Sequence, residues 1–317
     1  MINFPDSVDD SYKRSKAHIR KTPLELSPYL SKLINGDVYL KLDNVQRTGS
    51  FKFRWAISKM TSLSDKEKVN GVVTASTGNH GAACSLAMSL LGIKGKIVVP
   101  ENVHKNKVEN ILNLGGQVEY FGDDCIHAEE RAQEISKETG AVYISPYNDE
   151  AIVCGQATLG LEIEQELKNV DSTFISVGGG GLIGGVGGYL KSINQQIKIY
   201  GVSPENSCVM YESIKANKQL DLPSKPTLSD GTAGGVEFGS ITFQLCKDII
   251  DDFTLVSEKE IIEGILIGIE KHHQLIEGAA GTAIAGFLKY KNNLIGKRVV
   301  IVMCGGNISS EVLKSIL

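Results

Sequence analysis

The sequence contains no long run of basic residues, no closely paired cysteines and no long apolar stretch, and each absence removes a class of function. Its 33 Lys and Arg are scattered against 37 Asp and Glu, for a formal net charge of −4. No surface is therefore expected to track a nucleic-acid backbone or an anionic membrane. No uncharged apolar span reaches the ~18 residues a membrane helix needs, and the opening MINFPDSVDDSYKR lacks the apolar segment of a secretion signal, so the chain reads as cytosolic. The six cysteines, Cys84, Cys125, Cys154, Cys208, Cys246 and Cys304, are far apart with no C-x-x-C pair. That spacing suits reduced thiols rather than a zinc cluster or a disulfide frame, and five of the six read as small core residues. Tryptophan occurs once, at Trp55. There is no internal repeat or low-complexity tract, and the polar stretch 218–225 reads as a surface loop.

What is present is an ordinary globular composition of 317 residues, 42% apolar and 22% charged, enough for one large or two medium domains. The first 35 residues read as two surface helices around the break at Lys21, Thr22 and Pro23, followed by a strand over 38–42. Strands are then expected at 71–76, 96–99, 118–121 and 142–145, with helices at 79–91, 106–114 and 126–138 between and after them. A long helix over 150–167 leads into further strands at 173–177, 197–202, 253–256 and 298–303. Repeated βα units imply parallel sheets covered by helices on both faces. Because 71–145 holds four strands of its own, residues 71–148 are expected to form a small α/β domain inserted into a larger one built from 1–70 and 149–317. The cleft between them is the expected ligand site.

Four stretches carry chemistry. In TGSFKFRWA, residues 48–56, Thr48, Gly49 and Ser50 read as a turn and helix N-cap that places Lys52 in the first helical turn. Free N–H groups and the positive dipole end disfavour an ammonium there, and Phe51 and Phe53 lower the local dielectric. A lysine so placed is easier to deprotonate and can form an imine with an aldehyde. In ASTGNHG, residues 75–81, Ser76, Thr77, Asn79 and His80 put four polar side chains into one turn at a strand's C-terminal end, suited to a carboxylate or, more plainly, to capping by Ser76 or Asn79. In VGGGGLIGGVGG, residues 177–188, four adjacent glycines suit a nest of backbone N–H groups for a phosphate. No Lys-Ser or Lys-Thr follows them and no acidic residue is placed for a ribose, which disfavours nucleotides. In MCGGN, residues 303–307, Cys304 is expected to face the same cleft, ahead of a glycine pair and a new helix.

Taken together, TGSFKFR, STGNHG, GGGGL, SDGTAGG, IEGAAG and CGGN resemble, in order and rough spacing over nearly the whole chain, the fold-type II pyridoxal-phosphate enzymes. Within these the chain is most similar to the serine/threonine dehydratase and serine racemase family. The resemblance implies two three-layer αβα domains, like the tryptophan synthase β fold, with pyridoxal 5'-phosphate in the interdomain cleft. It implies that Lys52 is the Schiff-base lysine and Cα base, that Phe51 packs by the cofactor and that Asn79 bonds its ring hydroxyl. Gly178, Gly179, Gly180, Gly181 and Leu182 would hold the phosphate, and Cys304 would face the ring nitrogen. Ser76, Thr77, Asn79 and His80 would receive the substrate carboxylate, with Thr77 as the candidate acid on the second face of the substrate.

A thiol at the ring nitrogen leaves the ring neutral, a shallower electron sink that favours expulsion of a β-leaving group. The expected reaction is conversion of L-threonine and/or L-serine to a 2-oxo acid and ammonia, with the cofactor phosphate implied as proton donor to the departing hydroxyl. The alternatives are a racemase of serine or another β-hydroxy amino acid, and a dehydratase of hydroxyaspartate or a hydroxyectoine-pathway intermediate. A cofactor-binding regulator without catalysis is disfavoured by Lys52. The chain departs from the family pattern at Trp55, where the family usually has glycine and a repacked helix face is expected. It departs again at Thr77, where racemases have serine and dehydratases often alanine. Ser203 and Val209 stand where acidic metal ligands are usual, so no divalent metal site is expected, Glu205 being a stray candidate. No ACT-type extension follows Leu317, which argues against an isoleucine-inhibited biosynthetic enzyme. A homodimer acting on a small amino acid, with no nucleic-acid or membrane partner, completes the expectation.

Overall fold

The computed structural model describes residues 2–103, 105–123 and 125–317. Among them the strands follow in chain order as β1 (Leu24–Leu26), β2 (Asp37–Lys41), β3 (Val72–Ala75), β4 (Gly95–Val99), β5 (Val118–Tyr120), β6 (Val142–Tyr143), β7 (Ser172–Ser176), β8 (Lys198–Pro204), β9 (Asp252–Val256) and β10 (Arg298–Val302). They form a six-stranded sheet in the order β1-β2-β10-β7-β8-β9 and a four-stranded sheet in the order β5-β4-β3-β6. The central strands β3 and β7 are buried along their whole length, as expected of parallel strands covered on both faces. The fold is α/β, and the expected strands appear with ends displaced by a residue or two.

One strand was not anticipated. β1 pairs antiparallel to β2 at the sheet edge, between the helices Phe4–Ser15 and Pro28–Ile34. Three residues with a half-buried first position and two exposed ones are too few to display an alternating pattern, so the N-terminal region is not purely helical and the larger sheet is mixed.

The strand order β2-β10-β7 sets the C-terminal ends of three parallel neighbours side by side. The segments that leave those ends are the ones bearing Lys52, Cys304 and the glycine turn. Ligands of open α/β sheets bind at such strand ends.

The lysine helix, Lys52–Ser62, lies between the two sheets' cores. Its residues Phe53, Trp55, Ile57 and Met60 share a buried cluster with Val72, Ile97 and Val99 of the smaller sheet and with Ala83, Cys84 and Ala87 of the helix Asn79–Leu91. Its other side carries Arg54, which is fully buried. The guanidinium donates to Asp43 Oδ2 at 2.7 Å and Oδ1 at 2.8 Å, and to Glu162 Oε1 at 2.7 Å and Oε2 at 2.9 Å. Lys41 Nζ meets the same Glu162 at 2.7 Å and donates to the Thr22 carbonyl at 2.7 Å. Two buried cations thus meet two buried carboxylates, with every oxygen of Asp43 and Glu162 engaged, and the partly exposed side chain of Glu166 also lies 3.5 Å from Lys41. Removing one partner of such a group costs about 3–5 kcal/mol, because an uncompensated charge is left behind. The network pins the lysine helix to the segment after β2 and to the helix Glu150–Glu166.

The described cysteines, Cys84, Cys154, Cys208, Cys246 and Cys304, are free thiols, all buried except the partly exposed Cys208; the side chain of Cys125 lies outside the described residues. Among the described residues no helix is long and apolar enough to cross a membrane.

Candidate active site

The lysine helix opens from a strained turn. Thr48 (φ +62°) and Gly49 (φ +73°) both sit in the left-handed region, which is unusual for a β-branched residue. The turn is held from outside: Asn307 Nδ2 donates to the Thr48 carbonyl at 2.7 Å, and the Gly306 N–H donates to the Gly49 carbonyl at 2.9 Å. Ser50 bridges to Gly305, and the Phe51 N–H donates to the Cys304 carbonyl at 2.9 Å. The expected cap is corrected here. Phe51, not Ser50, is the N-cap, with no side-chain bond. Ser50 is extended (φ −159°, ψ 158°), because its backbone is occupied with Gly305, and its buried hydroxyl has no partner.

Lys52 is the first helical residue. No hydrogen-bond partner meets its amine among the described residues. Burial holds its pKa below the ordinary lysine value, against the opposing attraction of Glu277. Burial is thus the leading cause of the lowered value that helix position and aromatic neighbours suggested.

The turn after β3 feeds the helix Asn79–Leu91, whose N-cap is Gly78 with no side-chain bond. This corrects the capping expected of Ser76 or Asn79. The Ser76 hydroxyl accepts from the Gly78 N–H at 3.1 Å, and Asn79 looks across the cleft. Its Nδ2 donates to both Glu277 oxygens at 3.0 Å, and its Oδ1 accepts from Asn307 Nδ2 at 2.6 Å. Thr77 is half-buried and has no hydrogen-bond partner among the described residues. The imidazole of His80 does not join the other polar groups. It is buried, its Nε2 lies 2.5 Å from Thr74 Oγ1, and its ring stacks on Trp55. What His80 offers at the turn is its backbone N–H; with those of Asn79 and Gly81 it meets no acceptor among the described residues, as at any uncapped helix start.

The glycine turn leads into the helix Gly181–Ile193, with Gly180 as N-cap at φ +84°. The N–H groups of Gly179, Gly180, Gly181 and Leu182 meet no acceptor among the described residues. The four glycines also have packing reasons that the sequence does not display. A Cβ on Gly178 would lie 2.6 Å from the Thr232 carbonyl oxygen, and one on Gly179 2.4 Å from the Tyr147 ring. Gly180 faces the Cys246 sulfur and Gly181 the Gln156 amide with equal closeness.

Cys304 closes the floor. Its Sγ lies 3.5 Å from the Ser176 hydroxyl at the end of β7, and burial pushes its thiol up to about 12, so it stays neutral. The next helix starts only at Ser310, because residues 305–307 are engaged with the lysine turn. Sequence reasoning assigned no role to Glu277, although it stands within IEGAAG. This buried carboxylate accepts from Asn79 and from the Asn307 N–H at 3.1 Å. Its pKa is raised, first by burial and then by Asp230, and lowered by Asn79 and Lys52. Only the helix-start position of an acid was visible beforehand.

Ser203 donates to the Val177 carbonyl at 2.7 Å, and Val209 is core. No cluster of three or more metal-ligating side chains occurs among the described residues.

Comparison with known proteins agrees with this arrangement. The chain is 39% identical over 317 residues to an L-threonine ammonia-lyase of Thermotoga maritima, covering all of this chain and 78% of that protein. It is 36% identical over 311 residues to a catabolic L-threonine dehydratase of Escherichia coli, covering 96% and 94%. The solved maize serine racemase superposes with a TM-score of 0.92 at 30% identity, covering 98% of this chain and 95% of that one. The processed threonine deaminase isoform 2 of Solanum lycopersicum gives 0.94 at 33%, covering 98% and 91%. The family described as pyridoxal-phosphate dependent enzyme matches residues 16–305, so a neutral-prone lysine, a nest of free amides and a protonated thiol at adjoining strand ends are found in a chain that belongs to the pyridoxal-phosphate dependent enzymes.

Proposed function

We propose that this protein is a pyridoxal-phosphate dependent ammonia-lyase that removes the β-hydroxyl of L-threonine and/or L-serine, giving a 2-oxo acid and ammonia. The observation that carries the reading is a Lys52 amine without a hydrogen-bond partner and, in the same row of strand ends, backbone amides without acceptors among the described residues, in a chain 36–39% identical to threonine ammonia-lyases and dehydratases over nearly its whole length. The residues present fit the cofactor: the N–H groups of 179–182, without acceptors among the described residues, suit a phosphate, and the Ser50 hydroxyl beside the lysine is a buried polar atom without a partner.

In this reading Gly178, Gly179, Gly180, Gly181 and Leu182 hold the phosphate, Phe51 packs by the ring, Asn79 bonds the ring hydroxyl and Cys304 faces the ring nitrogen. Pyridoxal phosphate supplies, when bound, the aldehyde and electron-withdrawing ring that make an amino acid's Cα proton removable. Lys52 takes that proton at Nζ; its lowered pKa keeps a larger share of the amine free to do so near neutral pH. The neutral thiol of Cys304 would leave the ring nitrogen unprotonated when the cofactor is bound, an environment that would favour loss of the β-hydroxyl. Ser76, Thr77 and the N–H groups of Asn79 and His80 hold the substrate carboxylate, and Glu277 orients the Asn79 amide.

Residues 1–70 with 149–317 form the larger unit and 71–148 the inserted one, although the lysine helix shares its apolar core with the latter. The protein works in the cytoplasm as a homodimer on a free amino acid. A second reading, racemisation, is supported by the unbonded Thr77 and the likeness to maize serine racemase. The test is a panel of β-hydroxy amino acids given to the purified protein with added pyridoxal phosphate. Formation of 2-oxobutyrate from L-threonine or pyruvate from L-serine is expected; enantiomer exchange without 2-oxo acid would replace the lyase with the racemase.

A further inference from the structure

Trp55 and His80 are both buried, at 0% and 3% exposure, and their rings stack with centroids 4.8 Å apart at 27°. Neither is explained by the roles above. We propose that Trp55 is a positioning residue for the carboxylate turn, acting through the ring of His80; this rests on the reading of residues 76–80 as the substrate carboxylate site.

The proton assignment around His80 follows from its neighbours. Thr74 Oγ1 donates its single proton to the Ile144 carbonyl at 2.7 Å, so towards His80 it can only accept. The proton therefore sits on Nε2, which donates to Thr74 Oγ1 at 2.5 Å with the Ile144 carbonyl 3.2 Å away. Nδ1 is left as an acceptor and faces Cys84 Sγ at 3.9 Å, a thiol that burial keeps protonated. The ring is thus fixed within its own plane by β3, by the segment after β6 and by its own helix. Nothing among these bonds fixes it perpendicular to that plane. The face of Trp55 does.

The indole itself supports a contact of faces rather than a hydrogen bond, because its buried N–H has no acceptor. Trp55 also stands three residues after Lys52, on the adjoining side of one helix turn. His80 is the second residue of the helix whose free amides form the turn. One rigid helix thereby carries the amine and, through a stacked ring, sets the distance to the carboxylate donors. A merely space-filling side chain at 55 would fill the core without fixing the ring's tilt.

The test uses the holoenzyme and two unreactive probes, L-alanine and its carboxylate-free analogue L-alaninol, with binding followed by the change in cofactor absorbance. Wild type should bind L-alanine at least about tenfold more tightly than L-alaninol, as expected for a charge-assisted carboxylate site. Trp55→Phe, which keeps a ring face, should stay within about twofold of wild type. Trp55→Leu should lose about tenfold for L-alanine, with L-alaninol and cofactor affinity unchanged, since an aromatic pair contributes on that order. The His80 imidazole nitrogen resonances should shift in Trp55→Leu alone. Equal affinities for Phe and Leu variants, or parallel loss of both probes, overturns the positioning role while leaving the carboxylate site standing. Equal wild-type affinity for the two probes overturns the carboxylate site and the proposal with it. Should Trp55→Leu not fold, Trp55→Met against Trp55→Phe reads the same stack: only the Met variant should lose L-alanine selectively, and equal behaviour contradicts the proposal.

Discussion

Two turns stand at the C-terminal ends of parallel strands, each opening a helix with no side-chain cap, yet they are built differently. The glycine turn after β7 is backed at each glycine, with Thr232, Tyr147, Cys246 and Gln156 occupying the places where side chains would stand. The serine turn after β3 is open at its rim, where a Cβ on Gly78 would meet nothing within 4 Å, and is fixed from beneath by His80. A turn packed to interior density cannot adjust and suits a ligand that stays. A turn with a free rim suits one that is exchanged at every turnover.

The largest effect expected concerns the buried support of the serine turn. Burial, with a further contribution from Lys52, lowers His80 from near 6.5 to about 3. Between those values the unfolded chain binds a proton that the native protein does not, so stability falls as the pH falls through that window. The loss from this one group approaches, on the order of, 4 kcal/mol at the acid end. Urea midpoints measured from pH 7 to 4 should show this slope in wild type and a flatter one in His80→Gln. Equal slopes would mean that His80 is not buried neutral.

Next comes the packed turn. Gly178→Ala should destabilise by about 1–3 kcal/mol, since its Cβ meets backbone that cannot move aside, and cofactor affinity should fall with it. Equilibrium dialysis of cofactor alongside thermal unfolding would register both. A smaller change is expected at the serine turn's rim. Ser76→Ala should raise the KM for the amino acid about tenfold, near 1.4 kcal/mol, with cofactor affinity unchanged. The smallest is Gly78→Ala, whose effect on stability should stay within ~0.5 kcal/mol. If Gly78→Ala proved as costly as Gly178→Ala, the contrast between the turns would be lost.

Much of this arrangement is legible in the chain itself. The helix Asn79–Leu91 begins and ends as expected because a polar turn precedes it and Gly92, in the left-handed region, stops it. β-branched runs located nearly every strand for the same local reason. What escaped depends on contacts between distant segments. Glu277 reaches Asn79 across 198 positions, and the neighbours that forbid side chains on the glycine turn come from four other segments. Ser50 has the chemistry of an N-cap, yet its backbone is taken by Gly305. His80 has the chemistry of a substrate ligand, yet Thr74 and Trp55 turn its ring inward. Local propensity could not anticipate either tertiary partner.

The most direct measurement is 2-oxobutyrate release from L-threonine by wild type and by Lys52→Ala, each with added pyridoxal phosphate and each with its melting temperature recorded. Wild type should turn over. Lys52→Ala should fall by about 10³-fold or more, given that proton transfer alone contributes 10²–10⁴-fold, and should melt within a few degrees of wild type, because a single residue at the cleft adds little to the core. A folded Lys52→Ala variant within about tenfold of wild-type turnover would contradict the assignment of Lys52 as the base.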